Sequence, residues 1–303
     1  MSQVGEWYGH APSEESPAAN DDRRKKWCRF VDLPCNKKYA RGAPNGVCSL
    51  VVGKEHVPIC PRRMYEGNRK VLRTIAEIAF GQGMRLVRPD QVQVPVDAGT
   101  KVVAFGAGYV SELKVPTPSG GSYSVDWVLA KLDPTDNLEE FVAVEIQTID
   151  TSDSYRPQVE EMVAGHRPPG PSKAGLNWEN VNKRILPQLI YKGHLLRHEP
   201  KCTKGLFFVC PTPVYERIID RLGGDDLPTI HPSPGTLTFH HYQLVAETGE
   251  LLTLSDPVTK TTTIDAVAYH FVSPTNLPKS GAYEARIQKA LAKHLRPSSK
   301  RRP

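Results

Sequence analysis

No run in this 303-residue sequence approaches the roughly 18–20 consecutive apolar residues that a membrane-spanning helix needs, which excludes that class of membrane protein. The first 25 residues contain no apolar stretch and are acidic before Arg23, so no secretory signal is expected and the chain reads as cytoplasmic. Neither G-x-G-x-x-G nor G-x4-G-K-[ST] occurs, which leaves nucleotide-driven chemistry without support. There is no C-x2-C knuckle and no internal repeat, and the 27 prolines are scattered rather than gathered into a low-complexity tract. With no export expected, the six cysteines read as free thiols or metal ligands rather than disulfides.

Charge is abundant but unevenly placed. Residues 1–22 hold five acids and no Lys or Arg, whereas residues 23–73 hold fourteen Lys and Arg against three acids, a net +11. Residues 74–285 carry eighteen basic and twenty-five acidic groups, and residues 286–303 add seven basic groups and no acid. Basic blocks flanking an acidic centre suit a protein that holds a polyanion at its ends and keeps carboxylates in its middle.

Residues 1–24 lack periodicity and are expected to be disordered; the acids of residues 1–22 repel a polyanion, and their removal is expected to spare activity or to strengthen weak binding. Residues 25–63 form a small four-cysteine module, residues 64–296 a larger domain, and residues 297–303 a basic tail. In the larger domain, Val71, Leu72, Ile75, Ile78 and Ala79 recur at helical spacing over 68–80. Strands are expected at 101–105, 109–115, 123–132 and 141–149, joined by turn-rich links that imply an antiparallel meander. A helix kinked at Pro187 is expected over 177–198, followed by a buried strand at 206–210 and a helix opened by Thr212-Pro213. Strands at 236–246 and 261–271, then a last helix over 281–295, complete an α/β chain with a mixed sheet.

Cys28, Cys35, Cys48 and Cys60 follow C-x6-C-x12-C-x11-C on a stretch too poor in apolar residues to make its own core. Four thiolates there suit a tetrahedral structural metal, zinc or iron. Cys202 and Cys210 lie apart and read as inert core thiols, and His240 and His241 as packing or surface residues.

Strand alternation sets Asp126 on the face opposite Tyr123, Val125, Trp127 and Leu129, and it sets Glu145 and Gln147 together on the polar face of the next strand. If those strands are neighbours, Asp126 and Glu145 converge, and their repulsion invites Mg²⁺, with Glu112 as a third carboxylate. Such a site activates water against a phosphate, and Gln147 is placed to orient that water. Asn180, Arg184, Gln188 and Lys192 recur every four residues as a polar, partly basic helix face. That face, Arg156 with Arg167 and Lys173 in the following Pro/Gly-rich loop, and Lys25, Lys26 and Arg29 in the basic block are candidate DNA contacts.

Asp126 followed after eighteen residues by Glu145-Ile146-Gln147, on the second and third strands of a helix–strand–strand–strand–helix–strand order, resembles the PD-(D/E)xK nuclease superfamily, with Val125 in place of its Pro and Gln147 in place of its Lys. The N-terminal cysteines ahead of the order Glu112, Asp126, Glu145, Gln147 are similar to the NotI-type restriction endonucleases over about residues 27–215. The resemblance implies a restriction-endonuclease-like αβββαβ core and Mg²⁺-dependent hydrolysis of both strands of a palindromic duplex DNA site by a homodimer. It also implies a structural iron, or equally zinc, on Cys28, Cys35, Cys48 and Cys60. Two alternatives stand beside it: a metal-clamped DNA-binding protein with an inactive nuclease-like core, and a repair or phage-defence nuclease with relaxed sequence preference.

Overall fold

The structure is a computed structural model that describes residues 2–38, 44–94, 99–109, 112–117, 120–152, 154–224, 226–246 and 252–295. The chain opens with strand β1 (Ser2–Trp7) and helix α1 (Pro17–Lys25), so the expected disorder of residues 1–24 is not what the described residues show. Helix α1 starts where Ser16 caps it, accepting from the Ala19 amide at 3.2 Å, with Pro17 at the first turn. It ends on Lys26 in the left-handed conformation.

Two short hairpins follow. The first joins β2 (Trp27–Cys28) to β3 (Leu33–Pro34), and the second joins β4 (Val47–Val52) to β5 (Glu55–Pro58). β1 pairs antiparallel with β4, so the first residues of the chain complete a three-stranded sheet around the cysteine segment. Burial explains their order. Val4, Trp7 and Tyr8 belong to the main core, and Glu6 forms a buried ion pair with Arg63 at 2.9 Å. The cysteine module therefore does not stand apart from its flanks: its sheet packs into the core shared with the rest of the chain.

Helix α2 (Glu66–Phe80) then buries Val71, Leu72, Ile75 and Ala79 of the expected stripe together with Ala76, whereas Ile78, also expected on that face, is exposed. Its entrance is a left-handed turn at Gly67, Asn68 and Arg69, whose carbonyls at Gly67 and Asn68 accept from the Arg73 guanidinium at 2.7 and 2.6 Å. β6 (Met84–Val87) and β7 (Thr100–Gly106) run parallel. A small hairpin of β8 (Lys114–Pro116) and β9 (Ser122–Ser124) replaces the longer strand expected over 109–115, of which residues 110 and 111 lie outside the described residues. β10 (Trp127–Leu132) and β11 (Leu138–Ile146) complete an antiparallel meander with β7.

Helix α3 (Arg156–Val163) occupies part of the segment expected to be a loop. A single π-turn at Val181–Ile185 leads into α4 (Leu186–Arg197). The irregularity falls in the turn just before Pro187, which has no N–H to give a regular helical ladder at that point. β12 (Leu206–Pro211) runs parallel to β11, and α5 (Thr212–Arg221) leads to β13 (Thr236–Tyr242), parallel to β12. A hairpin of β14 (Leu244–Ala246) and β15 (Leu252–Leu254) precedes β16 (Val258–Thr263), α6 (Ile264–Val272) and α7 (Ala282–Leu295). Of the strand expected over 261–271, residues 261–263 end β16 and the remainder is helix α6. Thr263 caps a helix by accepting from the Ala266 amide at 3.0 Å, and Ile264 and Val267, with Ala266 and Phe271 partly buried beside them, turn inward while Tyr269 and Val272 are exposed. The basic tail at 297–303 lies outside the described residues.

The result is a mixed seven-stranded sheet in the order β16-β13-β12-β11-β10-β7-β6, with helices on both faces. Its central strands carry the longest apolar runs, as strands buried on both faces must: every residue of β12, Leu-Phe-Phe-Val-Cys-Pro, is buried. Trp127, Leu129, Val142, Val144, Phe207 and Val209 face α2, whereas Ala143, Leu206, Phe208 and Cys210 face α4 and α5.

Candidate active site

The register of β10 against β11 pairs Trp127 with Val144, which brings Asp126, one residue before β10, opposite Glu145. The Asp126 carboxylate Oδ2 accepts from the Ile146 amide at 2.8 Å, and the Asp126 amide donates back to the Glu145 carboxylate. This reciprocal pair ties the end of the meander together. Gly106, opposite Trp127 on β7, permits the approach: a Cβ there would lie 2.4 Å from the Asp126 carbonyl oxygen and the Trp127 ring.

Glu145 is buried, which is where strand alternation takes it once Val144 and Ile146 face α2. On the other face it meets Lys192 of α4, whose ammonium lies 2.5 Å from Oε1. Burial and then repulsion from Asp126 push the Glu145 carboxyl up to about 7, against the pull of Lys192. Burial raises Asp126 too, with a further push from Glu112, and the Ile146 amide and Lys192 oppose it. Glu112 is exposed and accepts from the Ser124 hydroxyl at 3.0 Å, at the rim of the site. Gln147 continues beyond the end of β11, where its amide donates to the Val209 carbonyl at 3.0 Å, and its side chain is half-buried.

Asp126 opens into a cleft of about 410 Å³ between the sheet edge and the cysteine hairpins, lined also by Lys37, Arg62, Arg69 and Asp150. Arg69 was not among the residues suggested by the sequence. It is 8 % exposed, stacks on Tyr109 at 4.6 Å, and its Nε finds no acceptor. Only its backbone hints at this place, because Gly67-Asn68 ahead of it is a turn signal inside a helical pattern.

The polar face of the helical segment is built as expected but faces acids. Asn180 and Arg184 donate to Asp150 at 2.7 and 2.9 Å, Lys192 reaches Glu145, and Gln188 is exposed. Arg156 pairs with Glu160 at 2.8 Å on α3. Lys25 pairs with Asp21 at 2.6 Å, Lys26 is exposed, and Arg29 approaches His10 at 3.4 Å.

The four N-terminal cysteines come from the two hairpins. Cys28 lies in β2, and the Cys35 amide just after β3 donates to the Lys26 carbonyl at 2.8 Å; Cys48 lies in β4, and the Cys60 amide after β5 donates to the Cys48 carbonyl at 3.2 Å. Burial raises the Cys28, Cys35 and Cys48 thiols, and neighbouring cysteines raise each of them further. Four mutually repelling sulfurs are a donor set that a soft or borderline cation suits, although no group of three or more His, Cys, Asp or Glu among the described residues is arranged to hold a metal ion. Asp126 and Glu145 are a hard-oxygen pair whose repulsion a divalent cation would relieve; Mg²⁺ commonly takes only one or two carboxylates, with water and phosphate completing its shell. Cys202 and Cys210 are buried, their thiols raised by burial, and His240 and His241 pack inside the sheet. No protein-family model and no curated protein sequence matches this chain.

Proposed function

We propose that the protein is a Mg²⁺-dependent endonuclease that hydrolyses phosphodiester bonds in both strands of a specific, palindromic duplex DNA site, acting as a twofold homodimer in which each site cuts one strand. The observation that carries this reading is the β10–β11 register, which opposes Asp126 and Glu145 and sets Lys192 against Glu145. The order of α2, the β7–β10–β11 meander, α4 and parallel β12, with β6, the β8–β9 hairpin and α3 inserted, supports the αβββαβ core that the resemblance implies.

A bound Mg²⁺ would supply charge neutralisation at the phosphate and lower the pKa of a water. Asp126 and Glu145 would hold it, with the Ile146 amide fixing the Asp126 carboxylate in place. Lys192 supplies the ammonium that Gln147 cannot, and it comes from a helix instead of the strand. Its charge offsets the carboxylate pair at rest and can turn to the developing negative charge on the phosphate. Gln147 offers an amide to orient the attacking water. Arg69, with Arg62 beside it, faces the same cleft and can clamp a phosphate oxygen by its rigid fork. A structural zinc or iron would have to draw the four cysteines together from the arrangement they have here, and the basic blocks would hold the DNA backbone.

Plasmid cleavage with and without Mg²⁺ tests the reading. Wild-type protein should linearise a plasmid carrying its site, whereas Asp126→Ala and Glu145→Ala should lose cutting and still bind DNA in Ca²⁺. Lys192→Met should cut about 10²–10³ times more slowly. A wild-type protein that binds duplexes and never cuts would assign it to DNA binding alone. Full cutting by both carboxylate variants would remove the site.

A further inference from the structure

A second, larger cavity lies away from Asp126 and Glu145. It measures about 650 Å³ and sits between α1 and α3, lined by Trp7, Arg23, Arg24, Lys26, Arg156 and Arg167. Five of those six residues are cations. Arg156 is neutralised by Glu160 and Arg24 by Asp21, whereas Arg23, Lys26 and Arg167 have no carboxylate at ion-pair distance among the described residues.

Arg23 and Arg167 both lie against the Trp7 indole, with guanidinium carbons 5.1 and 5.0 Å from the ring centre. Arg23 is 8 % exposed; its terminal nitrogens donate to the carbonyls of Glu14 and Ala11, and its Nε is buried with no acceptor. Burial and then the nearby Arg167 make the charged form of Arg23 harder to keep, with Glu14 and Glu15 opposing them. Two guanidiniums against one indole ring, with Glu14 and Glu15 offsetting only the Arg23 charge, give the cavity a positive lining suited to an oxyanion.

The cavity also adjoins the candidate active site through a series of clefts. The Asp126 cleft shares Lys37 and Asp150 with a middle cleft of about 430 Å³, which is lined further on by Ser154 and Tyr155. Tyr155 is followed by Arg156 of the outer cavity, and its hydroxyl accepts from the Asn45 amide group, 3.4 Å away, at that cavity's wall. Lys37 and Lys38 line the middle cleft, and Arg23 and Arg167 line the outer cavity beyond Tyr155.

We propose that the cavity formed by Arg23, Lys26 and Arg167 binds a backbone phosphate of the DNA duplex outside the bond that is cut, at the far end of this run of clefts. The assignment rests on the nuclease reading for its ligand. The cavity thus holds the flank of the substrate and makes the N-terminal helix part of the binding surface.

The experiment uses the full chain and needs no cleavage. Binding of a fluorescein-labelled random-sequence duplex is measured by anisotropy in Ca²⁺ across a range of salt, for wild type, Lys26→Gln, the double variant Lys26→Gln/Arg167→Gln, and Lys279→Gln as a control from the exposed segment before α7, outside both basic blocks. Each lost phosphate contact should make the slope of log K against log[salt] less negative by about 0.9, and the control should keep the wild-type slope. Lys26 is exposed, so its single variant reports even if the double variant melts early. Inorganic phosphate and thymidine 5′-monophosphate are titrated calorimetrically in parallel. Unchanged salt slopes with loss of phosphate or nucleotide binding would make the cavity a free-anion site and overturn the DNA assignment, and unchanged results in both arms would overturn the site altogether. The two readings fail separately: a protein that never cuts plasmid but shows the slope change loses the nuclease assignment alone, and one that cuts with unaltered slopes loses only the phosphate site.

Discussion

Lys192 stands at an unusual position for a cation, buried enough to hold a carboxylate that burial itself drives toward neutrality. A second residue-scale consequence lies far from it, in the adjacent histidines of β13. His240 bonds to Thr259 and to the Tyr242 hydroxyl, each at 2.8 Å, and His241 bonds to Thr212 at 2.9 Å and stacks on Tyr215 at 4.0 Å. Burial lowers both from 6.5 to about 4, with His241 adding to the shift of His240. Between those values the unfolded chain binds more protons than the folded one, so stability is held above pH 6.5 and is lost as pH falls toward 4. The loss is on the order of 3 kcal/mol per histidine. Urea melts at pH 7 and pH 4.5 should show it, and His240→Gln should flatten that difference; an equal pH dependence in the variant would remove His240 as its source.

At the scale of elements, two contacts decide whether the site exists. Gly106 lets β7 pass beneath Trp127 and the Asp126 carbonyl, and Gly106→Ala forces a methyl into backbone. A cost of about 1–3 kcal/mol is expected, together with a loss of cutting larger than that loss of stability explains, since Asp126 must move. A Gly106→Ala protein with wild-type melting and cleavage would show that the strand yields freely. The other contact is Arg63, fully buried, which bonds to Glu6 of β1 at 2.9 Å, to Glu66 of α2 at 3.0 Å and to the Leu252 carbonyl of β15 at 2.8 Å. It stacks on Phe30 as well, at 4.5 Å. Glu6→Gln leaves that guanidinium without its nearest counter-charge, and about 3–5 kcal/mol should be lost in chemical denaturation. A drop below 1 kcal/mol would mean that Glu66 alone suffices.

For the whole molecule, the N-terminal strand changes what a truncation means. The acids of residues 1–22 suggested a repelling, dispensable tail, yet Glu6, Glu14, Asp21 and Asp22 are each engaged with a cation or histidine of the fold. Deleting residues 1–22 removes β1 from its sheet, takes Val4, Trp7 and Tyr8 from the core and strands Arg63. Loss of cooperative thermal unfolding is expected in place of unaltered cleavage. A truncated protein that melts like the full chain would restore the tail reading.

Local patterns were enough for much of this architecture. The helical stripe of α2, the apolar run of β12, the turn-rich links of the meander and the Thr212-Pro213 helix start are short-range signals, and each element stands within a few residues of its expected place. Alternation in adjacent strands was likewise enough to oppose Asp126 and Glu145, because a period of two leaves little choice once the strands pair. Other features depend on partners distant in sequence. Residues 2–25 are too polar to read as structured, and what orders them is a strand partner more than forty residues later and an ion pair with Arg63. The 261–271 segment is apolar enough for a strand, and the Thr263 cap with burial on one side only decides for helix α6. Lys192 and Arg69 join the site from helices whose packing no local period specifies. Sequence alone determined which carboxylates, thiols and cations the chain carries and on which strands; tertiary packing decided which charges meet, because side chains from separate elements are brought together by the shape of the shared core and not by their spacing along the chain.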